Sequence, residues 1–159
     1  MQFSGSPFNN GVINVPVYRN DSEFSDNNWN IIGNPYPSAI DADLFLAANT
    51  DIEGSGITTN YTIDGAIFLW SQNTDYSATE NGGEALNFSA SDYAIINGTG
   101  ETVGGDGNTP TNRMIPSGQA FLISYSDAAT PVSSNTNLDG HSIAQGTVTF
   151  NNSMRVYGA

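Results

Sequence analysis

The chain has 159 residues, in which 16 acidic side chains stand against three arginines and no lysine, so the formal net charge is −13. This balance excludes nucleic acid as a partner, because nucleic-acid binding depends on Lys and Arg side chains that neutralise phosphates. An anionic membrane surface and a polyanionic polysaccharide are disfavoured for the same reason. A neutral glycan, a divalent cation or a basic protein remains acceptable, and the simplest role of the charge is solubility.

The length is typical of a single domain, so we expect one module over residues 1–159. Membrane insertion is not expected, because the sequence holds no run of 18 apolar residues. The residues after Met1, QFSGSP, lack the basic start and the apolar segment of a signal peptide. We therefore expect either a cytosolic protein or a piece of a longer exported protein, and the absence of cysteine fits both.

Short strands separated by turns are predicted for the first third of the chain. Residues 12–18 alternate apolar and polar side chains, and Pro16 favours a sheet edge because it lacks a backbone N–H. Residues 29–32 predict a second strand, which ends at the turn that Gly33, Asn34 and Pro35 begin. Large aromatic side chains are mostly buried, so Trp29 is expected in the core.

One short helix is predicted to follow this turn. Asp41 suits the N-cap position, and Asp43 lies in the first turn, where the helix dipole favours negative charge. Leu44, Phe45 and Ala48 have the spacing of one apolar helix face.

The rest of the chain predicts further strands between polar loops. The apolar run of residues 66–70 favours a strand that is covered on both faces. The other predicted strands are residues 92–97, 119–125, 146–150 and 154–157. Residues 97–112 are expected to form a long glycine-rich loop. Seven or eight short strands with one small helix predict an all-β fold, a jelly-roll-like β-sandwich.

Four stretches of the sequence carry a family resemblance. They are WNIIGNPYPSAID at residues 29–41, IFLW at 67–70, PSGQAFL at 116–122 and FNNSMR at 150–155. Together they resemble a β-rich module of secreted Bacteroidota proteins, found just before the C-terminal sorting domain of the type IX secretion system. The resemblance implies a non-catalytic, extracellular module excised from a larger adhesin or polysaccharide-degrading enzyme, in which the rest of that multidomain protein is its partner.

Catalysis is not expected. The chain has no cysteine, and a Ser-His-Asp triad would need His141, the only histidine, which sits in a polar loop. A glycosidase would need two carboxylates with separated pKa values, and the sequence singles out no such pair.

Calcium is a possible structural cofactor by composition. Its ligands are carboxylate, amide and carbonyl oxygens, and Asp41, Asp43 and Asp106 are the candidates in turn-rich, oxygen-rich stretches. The alternative interpretation is that Asp41 is only a helix cap and that Asp106 lies in a solvated turn.

Sugar binding is the leading hypothesis. Exposed Trp and Tyr rings offer an apolar face with a polar handle, and the candidates are Trp70, Tyr76 and Tyr93. Arg113 could donate hydrogen bonds to a ligand, and its alternative role is a salt bridge to one of the many acids. A carbohydrate-binding module should expose an aromatic surface. A structural spacer should bury its Trp and Tyr faces, and an adhesion domain should show a flat apolar patch.

Overall fold

The computed structural model describes residues 9–20, 28–50, 61–71, 90–104, 112–136 and 140–157. Over these ranges the chain is an all-β sandwich with one α-helix, which confirms the predicted fold class. The strands are β1 (Ile13–Asn20), β2 (Trp29–Gly33), β3 (Ile40–Asp41), β4 (Ala66–Trp70), β5 (Tyr93–Asn97), β6 (Gly100–Thr102), β7 (Met114–Ile115), β8 (Ala120–Ser124), β9 (Ser133–Thr136) and β10 (Ser142–Phe150). Helix α1 (Ala42–Asn49) follows β3, and short 3-10 turns occur at Ala90–Asp92 and Asn152–Met154.

Two antiparallel sheets make the sandwich. The smaller has the order β1-β10-β9, and the larger has the order β2-β8-β4-β5-β6. A short ladder of β3 with β7 leads into α1. Strands that are distant in sequence therefore pair with one another, so the faces of the sheets are decided by long-range register.

The core lies between the inner faces of the two sheets and α1. Phe45 of α1 makes ring contacts with Phe121 of β8 at 5.3 Å and with Phe150 of β10 at 5.0 Å, so one helical side chain joins both sheets. The other large, fully buried side chains are Tyr36, Ile40, Leu46, Ile63, Ile67, Ile96, Ile115, Ile123 and Tyr125.

A buried asparagine organises the turn that follows β2. The Asn34 side-chain amide donates to the carbonyl oxygens of Ser38 at 2.8 Å, Ile115 at 3.0 Å and Pro116 at 3.1 Å. Its Oδ1 accepts the N–H of Tyr36 at 3.0 Å. Asn34 is only 4% exposed, so these bonds replace water for backbone groups of the turn and of the segment that follows β7.

Helix α1 begins as predicted, but its buried face differs from the prediction. Asp41 is the N-cap, and its carboxylate accepts the backbone N–H of Asp43 at 2.8 Å. The buried positions of α1 are Ala42, Phe45, Leu46 and Asn49. The expectation for Leu44 was wrong, because this side chain is 44% exposed.

The larger sheet also departs from the sequence expectations. The strand at residues 66–70 is covered on one face only, since Ile67 is fully buried while Trp70 is 36% exposed. Trp29 is not a core residue, because its side chain is 47% exposed on the same open face.

Several further segments of the fold differ from the sequence expectations, and the short strands β3 and β7 are among them. Residues 154–157 do not form a last strand, and only Arg155 makes an isolated bridge, to Ile40. Strands β6 and β9 lie within stretches that had been expected to be loops, because their side chains are mostly polar and exposed.

Candidate functional site

An apolar groove of about 410 Å³ lies on the outer face of the larger sheet. Its lining residues come from four neighbouring strands, and they are Trp29, Phe68, Tyr93, Ile95 and Leu122. We call this feature the aromatic groove. A sheet face of this kind is normally either solvated by polar side chains or covered by another layer, so an open apolar face is a candidate interaction surface.

Strand register explains why the groove forms. Phe68 of β4 pairs with Leu122 of β8 on one side and with Ile95 of β5 on the other. Side chains directly opposite in an antiparallel pair share a face and lie close together. These three apolar residues therefore make a continuous row across the middle of the sheet.

Aromatic rings stand on either side of this row. The ring of Trp29 contacts that of Phe68 edge-on, with centroids 5.0 Å apart and an angle of 82°. Trp70 pairs with Tyr93 across β4 and β5, and their rings are also 5.0 Å apart, at 72°. Edge-to-face contacts hold each ring in place while leaving part of its surface open to solvent.

Small and polar residues shape the space around Trp29. Its partner in β8 is Ser124, whose short side chain leaves room for the indole to reach toward Phe68. The Ser124 hydroxyl donates to Asp64 at 2.9 Å. On the far side of the groove Thr102 lies opposite Ile95. Two hydroxyl-bearing residues, Ser124 and Thr102, therefore neighbour the apolar residues on this sheet face.

Arg113 is occupied within the protein. Its guanidinium makes a bidentate ion pair with Asp43, contacts Glu101 at 2.8 Å and donates to the carbonyl oxygen of Asn97 at 2.8 Å. These contacts join the N-terminus of α1 to the β5–β6 hairpin. The ion pair is the alternative role that the sequence left open, and it places Arg113 beside the sheet but outside the lining of the aromatic groove.

This ion pair shifts the titration of both partners. The hydrogen bonds from Arg113 hold the pKa of Asp43 below its ordinary value of 3.8, against a smaller opposing effect of desolvation. The hydrogen bond with Asp43 in turn raises the pKa of Arg113. A lowered carboxyl pKa stabilises the folded state at pH values above the ordinary value and stops doing so as pH falls through the lowered one.

We expect Asp43→Asn to lower the stability of the domain at pH 7 by less than about 1 kcal/mol, since exposed ion pairs are screened by solvent. The difference between wild type and variant should shrink as pH falls below 3.8, because protonation removes the same charge from the wild type. Urea unfolding of both proteins at pH 7 and near pH 3 measures this. A difference that stays constant between the two pH values would contradict the assignment.

The other two arginines are also held internally. Arg19 is 7% exposed, donates to the carbonyl oxygens of Ser126 and Ala129, and lies 4.7 Å from the ring centre of Tyr125. Arg155 lies over the ring of Tyr36 at 5.5 Å and bonds to Ser38. The chain has only these three basic side chains besides His141, so its cationic groups serve the fold.

The candidate calcium ligands are not brought together by the described structure. Asp41 caps α1, Asp43 binds Arg113, and Asp106 lies outside the described residues, as does the candidate Tyr76. Within the described ranges no group of three or more His, Asp or Glu side chains could hold a metal ion. The same ranges contain no helix that is long and apolar enough to cross a membrane.

Of the four aromatic residues at this surface, two were candidates from the sequence and two were not. Trp70 and Tyr93 were predicted, and the structure places them side by side. Trp29 and Phe68 were missed, because large apolar residues in strands are buried more often than not. The signal that could have found them is the polar stretch on each side of residues 66–70, which leaves little apolar sequence to cover a second face.

The comparisons with known proteins identify a family without an assigned activity. The family model described as "Domain of unknown function (DUF8693)" matches residues 1–159. The chain therefore belongs to this family. No curated protein and no solved structure matches it. The functional argument consequently starts from the aromatic groove and the charge distribution.

Proposed function

We propose that this domain binds a neutral polysaccharide through the aromatic groove, as a non-catalytic module of a secreted protein. The single observation that carries the proposal is the open sheet face on which Trp29, Phe68 and Tyr93 border the same groove, with Trp70 beside it. Pyranose rings have apolar C–H faces and a hydroxyl perimeter. Such rings fit an aromatic floor that has the hydroxyl-bearing residues Ser124 and Thr102 as neighbours on the same sheet face.

Charge favours a neutral ligand over an anionic one. The net charge of −13 repels polyanions over roughly a Debye length, about 8 Å at physiological ionic strength. All three arginines make internal contacts, so none is available to pair with a sulfate or uronate group without breaking those contacts. A glycan without acidic substituents avoids this cost.

The groove offers binding chemistry more than acid–base chemistry. Among the described residues that line it, none carries a carboxylate, and the one titratable group is the phenol of Tyr93. Glycoside hydrolysis uses two carboxyl groups flanking the scissile bond. The proposal is therefore retention of a polysaccharide, with chemistry supplied by other parts of the parent protein.

The test is co-sedimentation and affinity electrophoresis of the domain with a panel of neutral and anionic polysaccharides, in calcium and then in EDTA. Retention on at least one neutral glycan, with none on anionic ones, is the expected result. Loss of retention in EDTA would add calcium to the site. No retention on any polysaccharide would overturn the proposal and would favour the structural-spacer hypothesis.

We expect Trp29→Ala to weaken glycan binding at least about tenfold, because an aromatic anchor residue contributes about 2 kcal/mol or more to an interface and about 1.4 kcal/mol corresponds to tenfold. Tyr18→Ala is the matched control. Tyr18 is 47% exposed, the same fraction as Trp29, but it lies on the other sheet. Isothermal titration with a soluble oligosaccharide of the retained glycan measures both. Equal losses in the two variants would contradict the placement of the site.

A further inference from the structure

The free edge of β2 differs from the other strand edges in the described part of the chain. A free edge presents unpaired backbone N–H and C=O groups, which are a template for pairing with another strand. Proteins usually block such edges with proline, charge, bulges or covering side chains. Most of the other strand edges in the described part of this sandwich are protected by one of these devices.

Side-chain amides close two of the edges. At β1, the backbone N–H of Tyr18 donates to Oδ1 of Asn30 at 2.9 Å, and Nδ2 of Asn30 donates to the Tyr18 carbonyl at 2.8 Å. At the part of β10 that β9 does not cover, Asn49 makes the same two bonds with Thr149, at 2.8 and 3.0 Å. Each amide takes the place of a neighbouring strand at one residue of the edge, and β1 also contains Pro16.

Polarity and charge protect two further edges. Strand β9 has the sequence SSNT, and all four of its side chains are exposed. Strand β6 has only three residues, and its Glu101 is held by Arg113. Neither edge presents an apolar side chain to a new strand.

Among the residues that the structure describes, none of these devices protects strand β2. Its sequence, WNIIG, contains no proline and no charge, and it ends the larger sheet. Ile31 is 72% exposed, and Trp29 is 47% exposed. Two backbone hydrogen bonds show which residues of this segment bond on the β8 side. The N–H of Tyr125 donates to the Asn28 carbonyl, and the N–H of Asn34 donates to the Gln119 carbonyl.

This alternation leaves backbone N–H and C=O groups of β2 on the side that faces away from β8. In an antiparallel strand, every second residue forms backbone hydrogen bonds with the same neighbouring strand. The bonds of Asn28 and Asn34 therefore indicate that the even-numbered residues of 28–34 bond on the β8 side. The N–H and C=O groups of Trp29, Ile31 and Gly33 therefore point away from β8. No described strand pairs with that side of β2.

We propose that β2 is a self-association edge, at which two copies of this chain pair their β2 strands antiparallel about Ile31. In that register Ile31 faces Ile31 of the partner subunit, and Trp29 faces the partner's Gly33, which leaves room for the indole. The backbone N–H and C=O groups of Trp29, Ile31 and Gly33 in each strand then form hydrogen bonds across the two-fold axis. The sequence of β2 is self-complementary in this arrangement, which is why a second copy fits it.

Charge and size decide the strength of this dimer. Interfaces that bury less than about 1,200 Å² are typically weak and transient, and a single five-residue strand belongs in that class. Two copies with a net charge of −13 each also repel one another. Since β2 itself is uncharged, salt screens the repulsion without weakening the pairing, and association should strengthen with ionic strength.

The dimer would also bring two aromatic grooves together, which matters for polysaccharide binding and in this respect rests on the proposed function. Opposed side chains in an antiparallel pair lie on one face, so the two aromatic grooves of the dimer would lie on the same side of one continuous sheet. A polysaccharide surface could then occupy both grooves at once, which raises the effective affinity without new contacts.

Sedimentation velocity without any glycan tests the dimer, so its outcome is independent of glycan binding. We expect a concentration-dependent dimer between about 10 μM and 1 mM, the range in which weak interfaces associate. Its association constant should rise at least about tenfold between roughly 0.05 M and 1 M NaCl, as screening shortens the Debye length.

Ile31→Lys should abolish the dimer by placing a charge on the edge. Val132→Lys is the matched control, since Val132 is 70% exposed and lies next to β9. Circular dichroism checks that both variants fold. A wild type that is monomeric at every concentration and salt level overturns the proposal. So does a dimer that survives Ile31→Lys, or one that both variants lose equally.

Discussion

Replacing Asn34 with alanine is expected to lower the free energy of unfolding by about 3–5 kcal/mol, since each buried polar group left without a partner costs about 1–3 kcal/mol. The side chain satisfies the carbonyl oxygens of Ser38, Ile115 and Pro116 and the N–H of Tyr36. Alanine offers no replacement, and at 4% exposure water has little access to the site.

The loss should be visible as a lower urea midpoint with an unchanged slope, because the native fold is destabilised but not expanded. Asn135→Ala is the control. Asn135 lies on the exposed strand β9, so its removal should change stability by no more than about 0.5 kcal/mol. If Asn34→Ala and Asn135→Ala unfold at the same urea concentration, Asn34 does not organise the turn.

Gly146→Ala is expected to cost about 3 kcal/mol, at the upper end of the usual range for adding one carbon to a packed core. Gly146 lies in β10, and a Cβ at this position would stand 2.7 Å from Cζ of Tyr125 and 3.0 Å from a methyl group of Thr62. Tyr125 is fully buried, and the Arg19 guanidinium lies over its ring, so the ring has no space to retreat.

A second glycine in the sheets provides the comparison. At Gly33 of β2 the nearest atom to an added Cβ is the carbonyl oxygen of Gln119 at 3.6 Å, an ordinary contact. Gly33→Ala should therefore be neutral or slightly stabilising, because alanine reduces the entropy of the unfolded chain. Thermal unfolding of both variants measures the difference. A Gly146→Ala protein as stable as Gly33→Ala would mean that the core around Tyr125 is loosely packed.

Local chemistry in the sequence was enough to find most strands and the start of the helix. Asp41 caps α1 because its short carboxylate accepts the N–H groups of Asp43 and Leu44, and this depends on only four consecutive residues. The edge position of β1 follows from Pro16 in the same way, because a missing N–H is a property of one residue. Strand β9 escaped prediction because its four polar side chains carry no apolar alternation, and pairing with β10 alone makes it a strand.

The aromatic groove was only half predictable. Nothing within residues 66–70 distinguishes a strand covered on both faces from one that is open on one face. The difference arises because α1 and the smaller sheet cover Ile67 while no described layer covers Phe68. Trp29 joins Phe68 across β8, a contact between residues 39 positions apart that depends on the pairing of three strands.

By itself, the sequence determined the all-β class, the turn that precedes α1, the helix cap and the scarcity of positive charge. These features depend on residue type and on spacings of a few positions. The tertiary structure alone decided which sheet face stays open, that Arg113 binds Asp43 across 70 positions, and that no other described strand pairs with the outer edge of β2. The physical reason is that exposure and pairing are properties of long-range packing, whereas turns and caps are made by neighbouring residues.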